Sequence, residues 1–273
     1  MKVDGKHVVV TGGSRGIGEA MAREFASRGA KVTVVARSVQ TLEKVAAEIG
    51  GNAFVADLSD DVVVDTIIGD IELRHGPIDV LVNNAGLETT VPFAVEDPRE
   101  VRAVSRLNYE VPLMLSRQVL PLMLERGRGH IVYVSSLAGT AGFPGMAVYC
   151  GTKAGILNFF ASLRRELQNS PVNLTVLSPG PVDTQMWDNV ETSSPETQKV
   201  VNRFQRLHLI PKASPADIAR RTVSAVERNR PYVRDPRRLS INFWLNMAPT
   251  RISNLAAIGI TFDPLDSGST RRP

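Results

Sequence analysis

The sequence is short of most things that mark a specialised class. It holds a single cysteine, Cys150, so no internal disulfide framework exists and a reducing compartment is expected. It has four histidines, His7, His75, His130 and His208, scattered without metal-ligand spacing, so no metal is expected. No apolar run is long enough to span a bilayer. No internal repeat or low-complexity segment interrupts the chain. No charged-then-apolar leader precedes the opening MKVDGKHVVV, which predicts a cytoplasmic rather than a secreted protein. The net charge of +4 is mild, and no nucleic-acid partner is expected. That charge is unevenly placed: from Arg220 to Pro273 there are ten arginines against four acids. Such a tail is either a solvated face or an anionic-partner surface.

What is present is a repeating pattern. Runs rich in Val, Ile and Leu recur at 7–12, 31–36, 51–56, 78–83, 130–135 and 173–178. Continuous apolar runs of this length suit parallel strands buried on both faces. Amphipathic stretches at 17–28, 39–48, 60–74, 99–126 and 148–168 lie between them. Strand–helix alternation predicts an α/β fold: a doubly wound parallel sheet of the Rossmann type, in three layers. At 273 residues one domain is expected, spanning 1–235, with an extension over 236–273. Residues 185–213 form a long excursion expected to be a substrate lid. Ser214, Pro215 and Asp217 supply an N-cap, a first-turn proline and a first-turn acid for the helix after it, and 231–234 is a candidate last strand.

TGGSRGIG (11–18) follows the first strand and opens the first helix. Gly12, Gly16 and Gly18 let backbone approach a pyrophosphate, and the helix N-terminus offers N–H groups and a positive dipole end. Ser14, Arg15 and Ile17 belong to the same turn. At the end of the second strand, where NAD-binding versions of this fold carry an acid, the sequence reads Ala36, Arg37, Ser38. Arg37 can pair with a ribose 2′-phosphate, and Arg15 can reach it from the glycine turn. NADP(H) is therefore expected over NAD(H).

Taken in order, TGGSRGIG, Asp57-Leu58, NNAG (83–86), Asn108, Ser135-Ser136, YCGTK (149–153) and PGPVDT (179–184) closely resemble the short-chain dehydrogenase/reductase family, in its compact one-domain branch, over about residues 4–230. The resemblance implies an oxidoreductase acting on CH–OH groups or carbonyls, assembled as a homodimer or homotetramer. It implies that Tyr149 is the general acid in reduction and base in oxidation. Lys153, one helical turn on, would lower the tyrosine pKa and hold the cofactor ribose. Ser136 would hydrogen-bond the substrate oxygen, with Ser135 the adjacent candidate. Asn108 would hold a water linking Lys153 to solvent, although Tyr109 stands where the family often has a small residue. Asn83 would stabilise the end of the central strand. Asn84, Ala85 and Gly86 would pass the cofactor ribose, and Asp57 and Leu58 would form the adenine pocket. After Pro179 and Gly180, Val182 and Thr184 would meet the nicotinamide amide and the phosphate side.

Cys150 is expected to point into packing. Met186, Trp187, Val190, Phe204, Leu207, Leu209 and Ile210 make the excursion apolar, which points to a lipophilic carbonyl or alcohol. The Arg-flanked apolar extension is a candidate for subunit contact, for shielding the site, or for peripheral membrane contact. Two further readings stay open: a 3-oxoacyl-thioester reductase of lipid synthesis, and a non-catalytic dinucleotide-binding sensor or scaffold.

Overall fold

The structure, a computed structural model, describes residues 1–191, 212–236 and 245. Seven parallel strands form one sheet: β1 (His7–Thr11), β2 (Lys31–Ala36), β3 (Asn52–Val55), β4 (Val80–Asn83), β5 (Gly129–Val134), β6 (Val172–Ser178) and β7 (Tyr232–Arg234). Their order is β3-β2-β1-β4-β5-β6-β7. The chain winds outward from β1 in one direction, then returns to β4 and winds the other way. The expected doubly wound sheet is thus present. One detail differs: β3, expected to be buried on both faces, is an edge strand with Val55 exposed, because nothing among the described residues pairs beyond it in the sheet.

Alternation along the strands builds two cores. Val8, Val10, Val32, Val34, Val80, Val82 and Val132 face one side, against α1 (Gly16–Ser27), α2 (Val39–Ile49) and α8 (Pro215–Glu227). The helices answer with Met21, Ala22 and Phe25, with Leu42, Val45 and Ala46, and with Ala219, Val223 and Val226, each at three- to four-residue spacing. Val9, Leu81, Ile131, Tyr133, Leu174 and Val176 face the other side, against α3 (Asp61–His75), α5 (Val111–Glu125) and α6 (Ala147–Glu166). Ser214 caps α8 as expected, accepting from Ala216 N, and Asp60 caps α3 the same way through Val62 N.

The helical stretch expected at 99–126 is not one regular helix. It divides into α4 (Pro98–Ser105), a π-turn at Arg106–Glu110, and α5. Pro112 has no N–H for the Asn108 carbonyl four residues before it, and its ring crowds that carbonyl. The widened turn resolves both. After β6, α7 (Gln185–Glu191) begins the long excursion, and a bridge between Val182 and Ala213 ties its two ends together. Of the excursion's apolar residues, the side chains of Val190, Phe204, Leu207, Leu209 and Ile210 lie outside the described residues. So does the extension from 237 onward except Leu245, which is exposed. Among the described residues no helix is long and apolar enough to cross a membrane.

Two strand histidines are built into the sheet. His130 on β5 is fully buried and its Nε2 lies 2.8 Å from the Thr175 hydroxyl. That hydroxyl donates to Arg230 O, so it accepts from Nε2–H, and Nδ1 is left with no partner among the described residues. A proton on Nδ1 would be a buried charge without an acceptor, and burial pushes the imidazole down to about 3. Burial also lowers His7. The unfolded chain then binds protons that the fold refuses as pH drops below the ordinary histidine value, and stability falls in that direction. Urea unfolding is expected to show His130 alone lowering stability by roughly 2 kcal/mol between pH 7.5 and 5.0. His130→Leu should flatten the profile over that range, and an unchanged slope would refute the assignment.

Candidate active site

The carboxyl ends of β1 and β4 part company at the reversal in strand order, and a cleft of about 1590 Å3 opens there. Its floor is the turn after β1. Gly12 and Gly16 adopt left-handed backbone, at φ +64° and +60°, which a side chain would strain. At Gly18 the constraint is space: a Cβ there would lie 2.2 Å from Gly12 O. The first turn of α1 therefore sits directly against the strand end. Arg15 at its N-cap makes no side-chain capping bond, so the first-turn N–H groups are not closed off by their own cap. A left-handed glycine turn feeding an uncapped N-terminus fits a dinucleotide pyrophosphate.

The opposing edge comes from NNAG. Asn84 Nδ2 donates to Thr11 O at 2.9 Å and Gly12 O at 3.2 Å. The Thr11 hydroxyl accepts from Asn84 N and Ala85 N, at 3.0 and 3.1 Å, and donates to Val82 O at 3.2 Å. Asn84, not Asn83, is thus the asparagine that binds the ends of β4 and β1 together. Asn83 points below the cleft, donating to Ser116 Oγ, which also accepts from the Tyr133 hydroxyl.

Ser136 caps the short 3-10 turn Leu137–Gly139, accepting from Ala138 N, and hydrogen-bonds the Tyr149 side chain. Ser135 points the other way and donates to Lys153 O at 2.8 Å. The adjacent serines are therefore sorted by their hydroxyls: one bonded to Tyr149, one fastening α6 to β5. Tyr149 and Lys153 lie one turn apart near the start of α6, both buried. Lys153 Nζ donates to Val134 O at 3.0 Å and sits 5.6 Å from the Tyr149 ring centroid. No lowering of the tyrosine by Lys153 appears. Burial dominates and pushes the phenol up to about 12, with the Ser136 hydrogen bond pulling the other way and the charge of Glu88 adding to the rise. Burial likewise pushes Lys153 down to about 8. The ammonium is bonded to a carbonyl rather than turned on the phenol oxygen.

All the other expected cofactor residues line the same cleft: Ser14, Arg15 and Ile17 in the turn, Arg37 and Asp57 with Leu58 at one end, Ala85 and Gly86 at the middle, and Pro179, Gly180, Val182 and Thr184 on the β6 side. Arg37 is 3.9 Å from Asp57 Oδ2 and well exposed. Arg15 donates to Gln185 Oε1 of α7 at 2.7 Å. Asn108 does not line the cleft. Its side chain clamps the backbone of Leu87, accepting from Leu87 N at 2.8 Å and donating to Leu87 O at 2.7 Å, with Thr152 Oγ1 at 3.3 Å. Tyr109 fits beside it because α6 carries Gly155 opposite, where a Cβ would lie 2.9 Å from the ring. Cys150 is buried as expected, packed with Ala138 and Tyr149.

The sequence reading passed over Glu88, Phe143 and Met146, which also line the cleft. None belongs to a recognisable motif, and only proximity in the fold brings them to Tyr149. Among the described residues no group of acids, histidines and cysteine could hold a metal.

A family model described as short chain dehydrogenase matches residues 6–195. A short chain dehydrogenase of Pseudocercospora fijiensis (strain CIRAD86) is 36% identical over 204 residues, 71% of this chain and 66% of that protein. The match thus spans just under two-thirds of that relative's length. The 3-oxoacyl-[acyl-carrier-protein] reductase FabG of Escherichia coli (strain K12) is 32% identical over 188 residues, 68% of this chain and 77% of that protein. A solved metagenomic short-chain oxidoreductase in complex with NADP superposes with a TM-score of 0.67 at 31% identity, covering 85% of this chain and 96% of that one.

Asn108→Ala should remove both bonds to Leu87 and release the stem of the β4–α4 loop. Urea unfolding should register a loss of roughly 2–4 kcal/mol. A change under about 0.5 kcal/mol would show that the clamp is not structural.

Proposed function

This chain belongs to the short-chain dehydrogenase family, and on that footing we propose that it is an NADP(H)-dependent oxidoreductase that interconverts a lipophilic carbonyl compound and its alcohol. The observation that carries the reading is the convergence of Ser136, Tyr149 and Lys153 beside the glycine turn in one cleft. NADPH, when bound, supplies the hydride. In this reading Tyr149 gives its proton to the substrate oxygen. Its raised pKa keeps that proton in place across neutral pH, as an acid in the reducing direction requires. Ser136 hydrogen-bonds the same oxygen and steadies its developing charge. Lys153 brings positive charge and donors to the cofactor ribose, and its lowered pKa places the loss of that charge near pH 8. Asn108 holds the loop in place, and its carbonyl, which Pro112 leaves without an α-helical donor, is the assigned acceptor for the water that links Lys153 to solvent.

Binding is assigned in the same way. Gly12, Ser14, Gly16, Ile17 and Gly18 cradle the pyrophosphate. Asp57 and Leu58 take the adenine, Asn84, Ala85 and Gly86 the ribose, and Pro179, Gly180, Val182 and Thr184 the nicotinamide side. The NADP preference rests on Arg37, whose only described carboxylate neighbour is Asp57 at 3.9 Å. Arg15, engaged with Gln185, has a secondary part. Leu137, Phe143, Pro144 and Met146, with Met186 and Trp187 of α7, give the cleft apolar walls that support a lipophilic substrate. The second reading, a 3-oxoacyl-thioester reductase, is favoured by the similarity to FabG.

Tyr149→Phe is expected to lower kcat by at least about a thousandfold while the Kd for NADPH, followed by fluorescence titration, changes less than about threefold. Retained turnover would remove Tyr149 from the acid role. Arg37→Glu should raise KM for NADPH relative to NADH by about ten- to a hundredfold. Equal effects on both cofactors would end the case for 2′-phosphate recognition.

A further inference from the structure

Two stems meet at one edge of the cleft, and a side-chain hydrogen bond joins them. Arg15 leaves the glycine turn in extended backbone, at φ −161° and ψ 166°, and makes no capping bond to its own helix. Its Nη1 reaches instead to Gln185 Oε1 of α7, at 2.7 Å, and both residues line the cleft. Beside this bond a Cβ on Gly16 would lie 3.4 Å from Thr184 Cγ2, so the two segments stand about one methyl group apart. Both stems are fixed. Gly12 N and Gly13 N donate to Val35 O under the turn. On the other side Trp187 N and Asp188 N donate to Thr184 O, the Thr184 hydroxyl donates to Val182 O, and Val182 is bridged to Ala213. The Arg15–Gln185 bond itself is exposed, so it adds little to the stability of the fold.

We propose that this bond is a strap across the phosphate stretch of the cofactor, with Gln185 as its positioning residue. Gln185 holds Arg15 over the pyrophosphate that rests on the first turn of α1, and the bond opens for the dinucleotide to enter or leave. The proposal rests on the dinucleotide-binding part of the functional reading and adds to it a control on cofactor exchange. The pyrophosphate is common to NADPH and NADH, so the strap slows the release of both alike. That separates it from Arg37, which acts on the 2′-phosphate alone. A hydrogen bond between exposed groups suits such a strap, because it breaks and re-forms on each turnover at small cost.

Gln185→Met keeps the length and helix preference of the side chain and removes its carbonyl acceptor. Bound NADPH or NADH is chased with excess oxidised nucleotide, and its release is followed by stopped-flow fluorescence. Release should quicken by about five- to tenfold in Gln185→Met, to the same extent for both nucleotides. Gln185→Glu, which keeps an oxygen at that place, should release them no faster than the wild type. With NADH, which has no 2′-phosphate, Arg15→Met should release at least as fast as Gln185→Met, and adding Gln185→Met to it should change nothing further. Effects that multiply in the double variant overturn the strap, and so does release within about twofold of wild type in Gln185→Met. Faster release of NADPH alone also overturns it and makes Gln185 part of 2′-phosphate recognition instead. If neither nucleotide binds the wild-type protein, the dinucleotide reading falls and the strap with it; binding with unaltered release overturns the strap alone.

Discussion

A single hydroxyl fixes the point from which the rest of the site is laid out. Thr11 ends β1, and its oxygen donates to the backbone of β4 and accepts from the two residues that leave it. Asn84 returns the contact through its amide, bonding Thr11 and Gly12. The hydroxyl uses its full hydrogen-bonding capacity, and the Asn84 amide both of its N–H donors, where the chain turns one way after β1 and the other way after β4. Without that clasp the two strand ends could splay, and both the glycine turn and the NNAG segment would lose their register. Gly18 sharpens the demand, since the first turn of α1 must lie where even a methyl group would collide with Gly12. The open cleft is thus bounded by backbone held at close quarters.

Behind the cleft, polar groups are buried in linked sets. Ser116 stands between Asn83 and Tyr133 and donates to Pro112 O. That joins β4, β5 and α5 beneath the site. Ser135 ties Lys153 O to the end of β5, and Val134 O receives the Lys153 ammonium. The tyrosine and lysine are therefore tuned chiefly by desolvation, which favours the neutral form of each.

Much of this was legible in the sequence, for physical reasons that differ by residue. Parallel buried strands leave uninterrupted Val and Ile runs, so six of the seven stood out, and the short PYVR run marked the seventh. Glycines at 12, 16 and 18 answer constraints of backbone sign and space that no other residue meets. Tyr149 and Lys153 share a face because a helix turns once in that interval. What spacing could not reveal was direction. Nothing in the glycine motif foretells that Arg15 bonds Gln185 of α7. Asn83 and Asn84 are adjacent and point to opposite sides of the strand end. Tyr109 looks too large for its place until Gly155 is brought beneath it by the packing of α6 on the π-turn. Glu88 belongs to no pattern, and only the fold brings it to Tyr149.

The bridge between Val182 and Ala213 has a consequence for how this scaffold can diversify. It closes the excursion at its base, with Asp183 N bonded to Ala213 O and Ala213 N to Pro181 O. The segment that leaves β6 and the one that enters α8 are therefore held together at the tie. Lengthening a closed loop is entropically cheap, about 0.6 kcal/mol for each doubling. Resizing the segment between the two ends therefore costs the fold little.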